Sequence, residues 1–166
     1  MWVRVPLDAQ TTKLMCLDLS KRQTKPKKTI KVYKWYNLHR HNKNGQSVRV
    51  VSPYQFVTID LDRTTVLRSS RKSTALCAHE KHLTTVNHGL HVFRYKKHAM
   101  EWAADGSCAN SHTVLVEFEA SPKDFVATGA FHGVPSVVYH RLKVRKVLMH
   151  FYDGKLVKNS PHTKKF

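Results

Sequence analysis

The run Val137–Leu148, VVYHRLKVRKVL, constrains the fold of this chain more than any other stretch. At period two, Val138, His140, Leu142, Val144, Lys146 and Leu148 fall on one side, and Val137, Tyr139, Arg141, Lys143, Arg145 and Val147 on the other. The first side is mostly core. The second carries three cations beside a tyrosine, about 6.6 to 6.8 Å apart in a regular strand, close to the phosphate spacing along a nucleic-acid strand. The same charges also suit an exposed strand that uses Lys and Arg to discourage edge pairing, so the run by itself leaves both readings open.

The charge of the whole chain bears on that choice. Lys and Arg number 29 against 11 Asp and Glu, a formal charge of +18 with histidine neutral, and the 12 histidines add to it as pH falls. Such an excess points to a polyanionic partner: nucleic acid first, an acidic protein surface second, an anionic membrane third. A hydrophobic content of 41% with 10% aromatics argues against wholesale disorder, and 166 residues suit one domain with a real core. No apolar run reaches the roughly 18 residues that span a bilayer, and MWVRVPL lacks a secretory signal's apolar centre. The expectation is a soluble cytoplasmic protein with no membrane partner. Cys16, Cys77 and Cys108 are odd in number and far apart, which predicts reduced thiols and no disulfide framework.

Between Asp18 and Asp60 there is no acidic residue, while Lys21, Arg22, Lys25, Lys27, Lys28, Lys31, Lys34, Arg40, Lys43 and Arg49 accumulate. Residues 21–29, KRQTKPKKT, read as a solvated basic connector. The following IKVYKWYNL reads as a strand in which Tyr33, Trp35 and Tyr36 alternate with cations. Rings that stack on bases beside cations that neutralise phosphates suggest a nucleic-acid surface. The competing reading makes Val32, Trp35 and Tyr36 core, with long basic side chains covering an apolar face.

Elsewhere the pattern predicts a short strand at Met1–Leu7 and an element of undecided type at Thr11–Ser20. Asn44-Gly45 predicts a turn, with a strand through Val48–Val51 and another at Tyr54–Leu61, able to pair as a hairpin. Asp62–Ser73 reads as a surface loop, and Ser73 or Thr74 as the cap of a short helix through Leu83. Gly89 opens a buried strand, LHVFR. Tyr95–Ala104 reads as a helix burying Tyr95, Ala99, Trp102 and Ala103. Thr113–Glu119 alternates as a strand, Ser121-Pro122 with Asp124 starts one or two helical turns, and Gly129 and Gly133 bend the chain. The expected architecture is a single α+β domain over residues 1–152, a mainly antiparallel twisted sheet with two or three short helices, followed by a flexible basic tail at 153–166.

The succession GLHVF, YKKHAMEWA, TVLVEFEA, SPKDFV and HRLKVRKVL, residues 86–148, resembles a loose group of small bacteriophage proteins. In that group a Gly-x-His segment, an Ala-bearing helix, a "V.V...D.V" element and an "R.KV..V" strand occur in this order. The resemblance implies a phage accessory protein in the host cytoplasm, where small basic proteins bind DNA or interfere with a host nucleic-acid machine. YKWY, Ser52, Gly89-Leu90-His91 and Glu117-Phe118-Glu119 are together faintly similar to ADP-ribosyltransferases. That similarity implies Glu119 as catalytic carboxylate with Glu117 assisting and NAD as substrate, the carboxylate stabilising an oxocarbenium ion as nicotinamide leaves.

Cys77, His79 and His82 are the closest approach to a zinc set, but no paired spacing of the usual kind is met. Val86-Asn87-His88-Gly89 and Glu101-Trp102 suggest an HNH nuclease, but the following Asn and second His of its metal clamp are missing at suitable spacing. No nucleophile elbow or phosphate-binding glycine loop occurs. The sequence therefore favours a non-enzymatic nucleic-acid binder with no cofactor, DNA ahead of RNA. Its cations would be Lys31, Lys34, Arg49, Arg141, Lys143 and Arg145, with Tyr33, Trp35 or Tyr139 stacking. The second class is an inhibitor that docks an acidic surface of a host polymerase or nuclease.

Overall fold

The computed structural model of the protein describes residues 17–19, 23–39, 49–51, 58–60, 65–69, 76–79, 83–86, 89–103, 112–131, 133–152 and 155–157. The first of its strands are β1 (Leu17–Leu19), β2 (Ile30–His39), β3 (Arg49–Val51), β4 (Thr58–Asp60) and β5 (Val66–Arg68). Strands β6 (Leu76–His79), β7 (Leu83–Val86) and β8 (Leu90–Phe93) precede the helix α1 (Lys96–Trp102). After it come β9 (Thr113–Ala120), a 3-10 turn at Pro122–Asp124, β10 (Phe125–Phe131), β11 (Val134–Tyr139), β12 (Arg141–Tyr152) and β13 (Lys155–Leu156). All pairings among them are antiparallel, in one sheet ordered β13-β12-β9-β2-β8-β11-β10-β1-β7-β6; β5 also pairs with β12, and β3 links β2 to β4.

The molecule is mostly β. The expected two or three helices reduce, among the described residues, to α1 and the 3-10 turn. The helix expected through Leu83 is instead a hairpin, β6 against β7, with Cys77 opposite Thr85 and His79 opposite Leu83. Thr84, Thr85 and Val86 are β-branched and lose side-chain freedom in a helix, and pairing with β1 gives them a strand's place. The loop expected at Asp62–Ser73 contains β5, and the tail expected to be flexible supplies β13. The β3–β4 hairpin forms as expected, with Val50 opposite Ile59. The Met1–Leu7 strand and the Asn44-Gly45 turn lie outside the described residues.

Val137–Leu148 is two strands, not one. His140 sits in a bend between them: its N–H donates to the Asp124 carbonyl at 2.8 Å and its carbonyl accepts from the Ser69 N–H at 2.8 Å. With both backbone groups engaged by other segments, the ladder changes partners. β11 runs between β8 and β10, whereas β12 runs beside β9 and β5. The alternation resets with it, so that Tyr139 and Leu142 enter the same core and Val138 enters the other.

Two cores result, one on each face of the central strands. On the inner face Val32 and Tyr36 of β2, Val116 and Phe118 of β9, and Leu142, Val144 and Val147 of β12 pack with Val92 of β8 and Val137 and Tyr139 of β11. Strands far apart in the sheet order share this core, so the sheet curls upon itself. The seam is narrow, since β2 meets β8 at one paired position, Tyr33 opposite Phe93. On the outer face Trp35 and Leu115 pack with Ala99 and Trp102 of α1 and with Phe131 and Val134. The Trp35 indole donates from Nε1 to the Ala99 carbonyl at 2.7 Å and meets Phe151 edge-on, which fastens α1 to β2. Tyr95, expected on the buried face of the helix, is exposed at its N-cap. Gly89 holds φ +115°, where a Cβ would also collide with Cγ1 of Val138, so the start of β8 lies against β11 only because this residue has no side chain.

Candidate nucleic-acid interface

The outer face of β2, β9 and β12 changes character along its length. At one end Trp35, Leu115, Met149 and Phe151 belong to the core beneath α1. At the other, strand register places charged side chains in rows. Lys31 lies opposite Glu119, which lies opposite Lys143; in the next row Tyr33 faces Glu117, and Glu117 faces Lys146. Beyond β12, β5 adds Arg68 opposite Arg141 and the exposed Val66 opposite Lys143.

Three of the cations have carboxylate partners. Lys31 Nζ lies 3.6 Å from Glu117 Oε1, Arg141 Nε 3.4 Å from Asp124 Oδ2, and Arg145 Nη1 3.6 Å from Glu119 Oε2. The cation ridge expected on the last strand is thus not a row of free charges: two of its three members are tied. The ties are loose. They exceed the ~2.7 to 2.9 Å of a strong charge-assisted hydrogen bond, and the Arg145–Glu119 pair, open on both sides, is worth about 0.2 to 1 kcal/mol. No carboxylate among the described residues pairs with Lys143, Lys146 or Arg68.

The other expected contact residues divide. Lys31 and Tyr33 are on this face, Lys31 exposed and Tyr33 half-buried. Burial, with Glu117 second, pushes the Tyr33 hydroxyl above its usual range. Lys34 is on the opposite face, three residues from Lys31 and so of opposite parity. Its ammonium stands 5.4 Å from the Tyr36 ring centroid, and burial pushes it down to about 8. Trp35 and Tyr139, expected to stack on bases, are core side chains at 2% and 0% exposure. Burial pushes the Tyr139 hydroxyl up to about 12, against the opposing pull of Arg94. Aromatic rings interleaved with cations on a strand whose two faces are both packed belong to the cores, which is why the stacking expectation fails for these two. Arg49 is a β3 residue paired in register with His39 and Asp60.

Glu117 and Glu119 share the outer side of β9, the first buried and the second half-buried. Gly89-Leu90-His91 starts β8, across the seam at Tyr33. Cys77 and His79 are two residues apart on β6, and His82 lies outside the described residues.

The sequence reading missed Lys146, Arg68 and Asp124. Strict alternation puts Lys146 on the core side; register shifts against β9 between Val144 and Lys146, and Arg145 becomes the extra residue of a bulge. Asp124 of the 3-10 turn, which pairs with Arg141, and Arg68 of β5, which lies opposite it, come from segments whose place beside β12 no local pattern announces. No family model, curated protein or solved structure matches this chain.

Proposed function

We propose that this protein is a non-enzymatic nucleic-acid binder, DNA ahead of RNA, acting as a phage-type accessory protein in a host cytoplasm. The observation that carries the proposal is the composition of one half-face. Lys31, Arg68, Arg141, Lys143, Arg145 and Lys146 stand there against Glu117, Glu119 and Asp124, on a surface whose other half belongs to the apolar core that includes Ala99 and Trp102 of α1. Arg145, whose pair with Glu119 is open to solvent, can exchange the carboxylate for phosphate at small cost, and three cations hold none among the described residues.

Counting three to six neutralised phosphates, log K for duplex DNA falls against log salt with a slope of about −2.7 to −5.4. Fluorescence anisotropy with labelled DNA between 50 and 300 mM salt, roughly the range where counterion release dominates, measures it. A slope shallower than about −1, or affinity unchanged when Arg141, Lys143 and Arg145 are replaced together by Ala, refutes the proposal.

A second proposal, docking on an acidic surface of a host enzyme, draws support from the carboxylates set among the cations, a mixed pattern that another protein surface can complement. A stoichiometric protein partner that survives nuclease treatment in a pull-down favours docking; loss of all bound material favours nucleic acid.

A further inference from the structure

The charges on the open half-face are arranged in lines. Along β12 run Arg141, Lys143, Arg145 and Lys146; along β9 run Glu117 and Glu119; along β2 stands Lys31, whose side chain is 65% exposed. Lys27 and Lys28, both exposed, lie in a bend two residues ahead of β2. The connector that bears them is anchored upstream. The Gln23 side chain donates from Nε2 to the Thr128 carbonyl at 3.0 Å and accepts the Thr128 N–H at 2.7 Å, as a neighbouring strand would.

A cationic line on β12 and a cationic group, Lys31 with Lys27 and Lys28 of the preceding bend, therefore stand on either side of the carboxylates of β9. β12 and β2 are separated by two inter-strand spacings, about 9.6 Å at the backbone. The grooves of B-DNA lie on either side of this value, about 6 Å for the minor and about 12 Å for the major, and the flexible stems of Lys and Arg bridge either difference. A single strand offers one row of phosphates, which would have to lie along one cationic line alone or over the carboxylates of β9. Binding single strands also calls for stacking platforms. Of the rings expected to stack, Trp35 and Tyr139 are sealed in the cores and Tyr33 is half-buried. The exposed Tyr95 and Tyr152 lie at the N-cap of α1 and the far end of β12, away from the cations of the open half-face.

We infer that the partner is a double helix lying astride β9, with one phosphate row on the β12 line, the other on Lys31 with Lys27 and Lys28, and the groove over Glu117 and Glu119. The inference rests on the nucleic-acid reading above and specifies the form of the ligand. Contacts are to backbone only, so recognition is independent of sequence. The carboxylates have a part in it: they keep phosphate off the centre of the face, which penalises a single strand laid across it.

The test compares a DNA duplex with each of its separated strands at the same salt, using the intact protein and two variants. Lys143→Ala with Lys146→Ala removes charge from the β12 line. Lys27→Ala with Lys28→Ala removes it from the bend ahead of β2 and leaves the Lys31–Glu117 pair intact. The expected result is at least about tenfold tighter binding of duplex, with each double variant flattening the duplex salt slope by about 1.8. Single strands bound as tightly as duplex, or a duplex slope unmoved by the Lys27/Lys28 variant, overturn the inference while the nucleic-acid reading stands. Absence of salt-dependent binding to either form overturns both.

Discussion

Replacing Glu119 by Gln is the most informative single change on the charged face, because it should strengthen binding. Glu119 Oε2 holds Arg145 Nη1 at 3.6 Å, with 38% and 47% of the two side chains exposed. An open pair of that kind contributes about 0.2 to 1 kcal/mol to folding, so the substitution should lower the melting temperature by no more than about 4 °C in a chain of this size. Its effect on binding has the opposite sign. Arg145 gains a vacancy for phosphate and the face loses one negative charge, which adds about one to the phosphates neutralised and steepens the salt slope by about 0.9. Over a fourfold change in salt, that extra slope alone is worth about 3.5-fold in affinity. Anisotropy titrations at four salt concentrations, beside a thermal melt, read both quantities. Unchanged or weaker DNA binding by a variant that melts within a few degrees of the parent refutes the competition between Glu119 and phosphate. It would show Arg145 to be a structural partner and not a binding residue.

Two further outcomes follow from the cores. Trp35→Phe keeps an aromatic ring beneath α1 but removes the indole donor at 2.7 Å from the buried Ala99 carbonyl, and should cost about 1 to 3 kcal/mol by denaturant titration; a loss under about 0.5 kcal/mol denies the hydrogen bond its part in fastening the helix. Lys34 titrates near 8 in the fold against 10.5 unfolded, so below about 8 the folded state carries a charge that burial disfavours, and stability rises with pH between the two values. Lys34→Met should therefore be more stable than the parent at pH 7, with an advantage that shrinks as pH rises through 8 toward 10.5; an advantage independent of pH contradicts a disfavoured charge.

Much of the sheet is legible locally. Thr113–Ala120 alternates in sequence and in structure, with Val114, Val116 and Phe118 inside and Glu117 and Glu119 outside, because one face of this strand ends in charge that water or a counter-charge must satisfy. Ile30–His39 likewise forms as a strand, and its excess of cations over acids is visible at once. What misleads is the extent of burial. Period two separates Trp35 from Tyr36 but does not say that both sides are covered, and an aromatic ring beside a lysine looks the same in a binding face and in a strand between two cores.

The amino-acid order by itself determined that the chain forms short strands with polar breaks, that it carries a large positive excess, and that the carboxylates of Glu117 and Glu119 fall on one side of their strand. Those are properties of neighbouring residues. Only the tertiary structure decided that Val137–Leu148 bends at His140, that a bulge at Arg145 turns Lys146 outward, and that Asp124 and Arg68 arrive beside Arg141. Each of these depends on backbone hydrogen bonds between segments distant in sequence, where the competition among partners, and not the preference of any one stretch, sets register and therefore which charges meet.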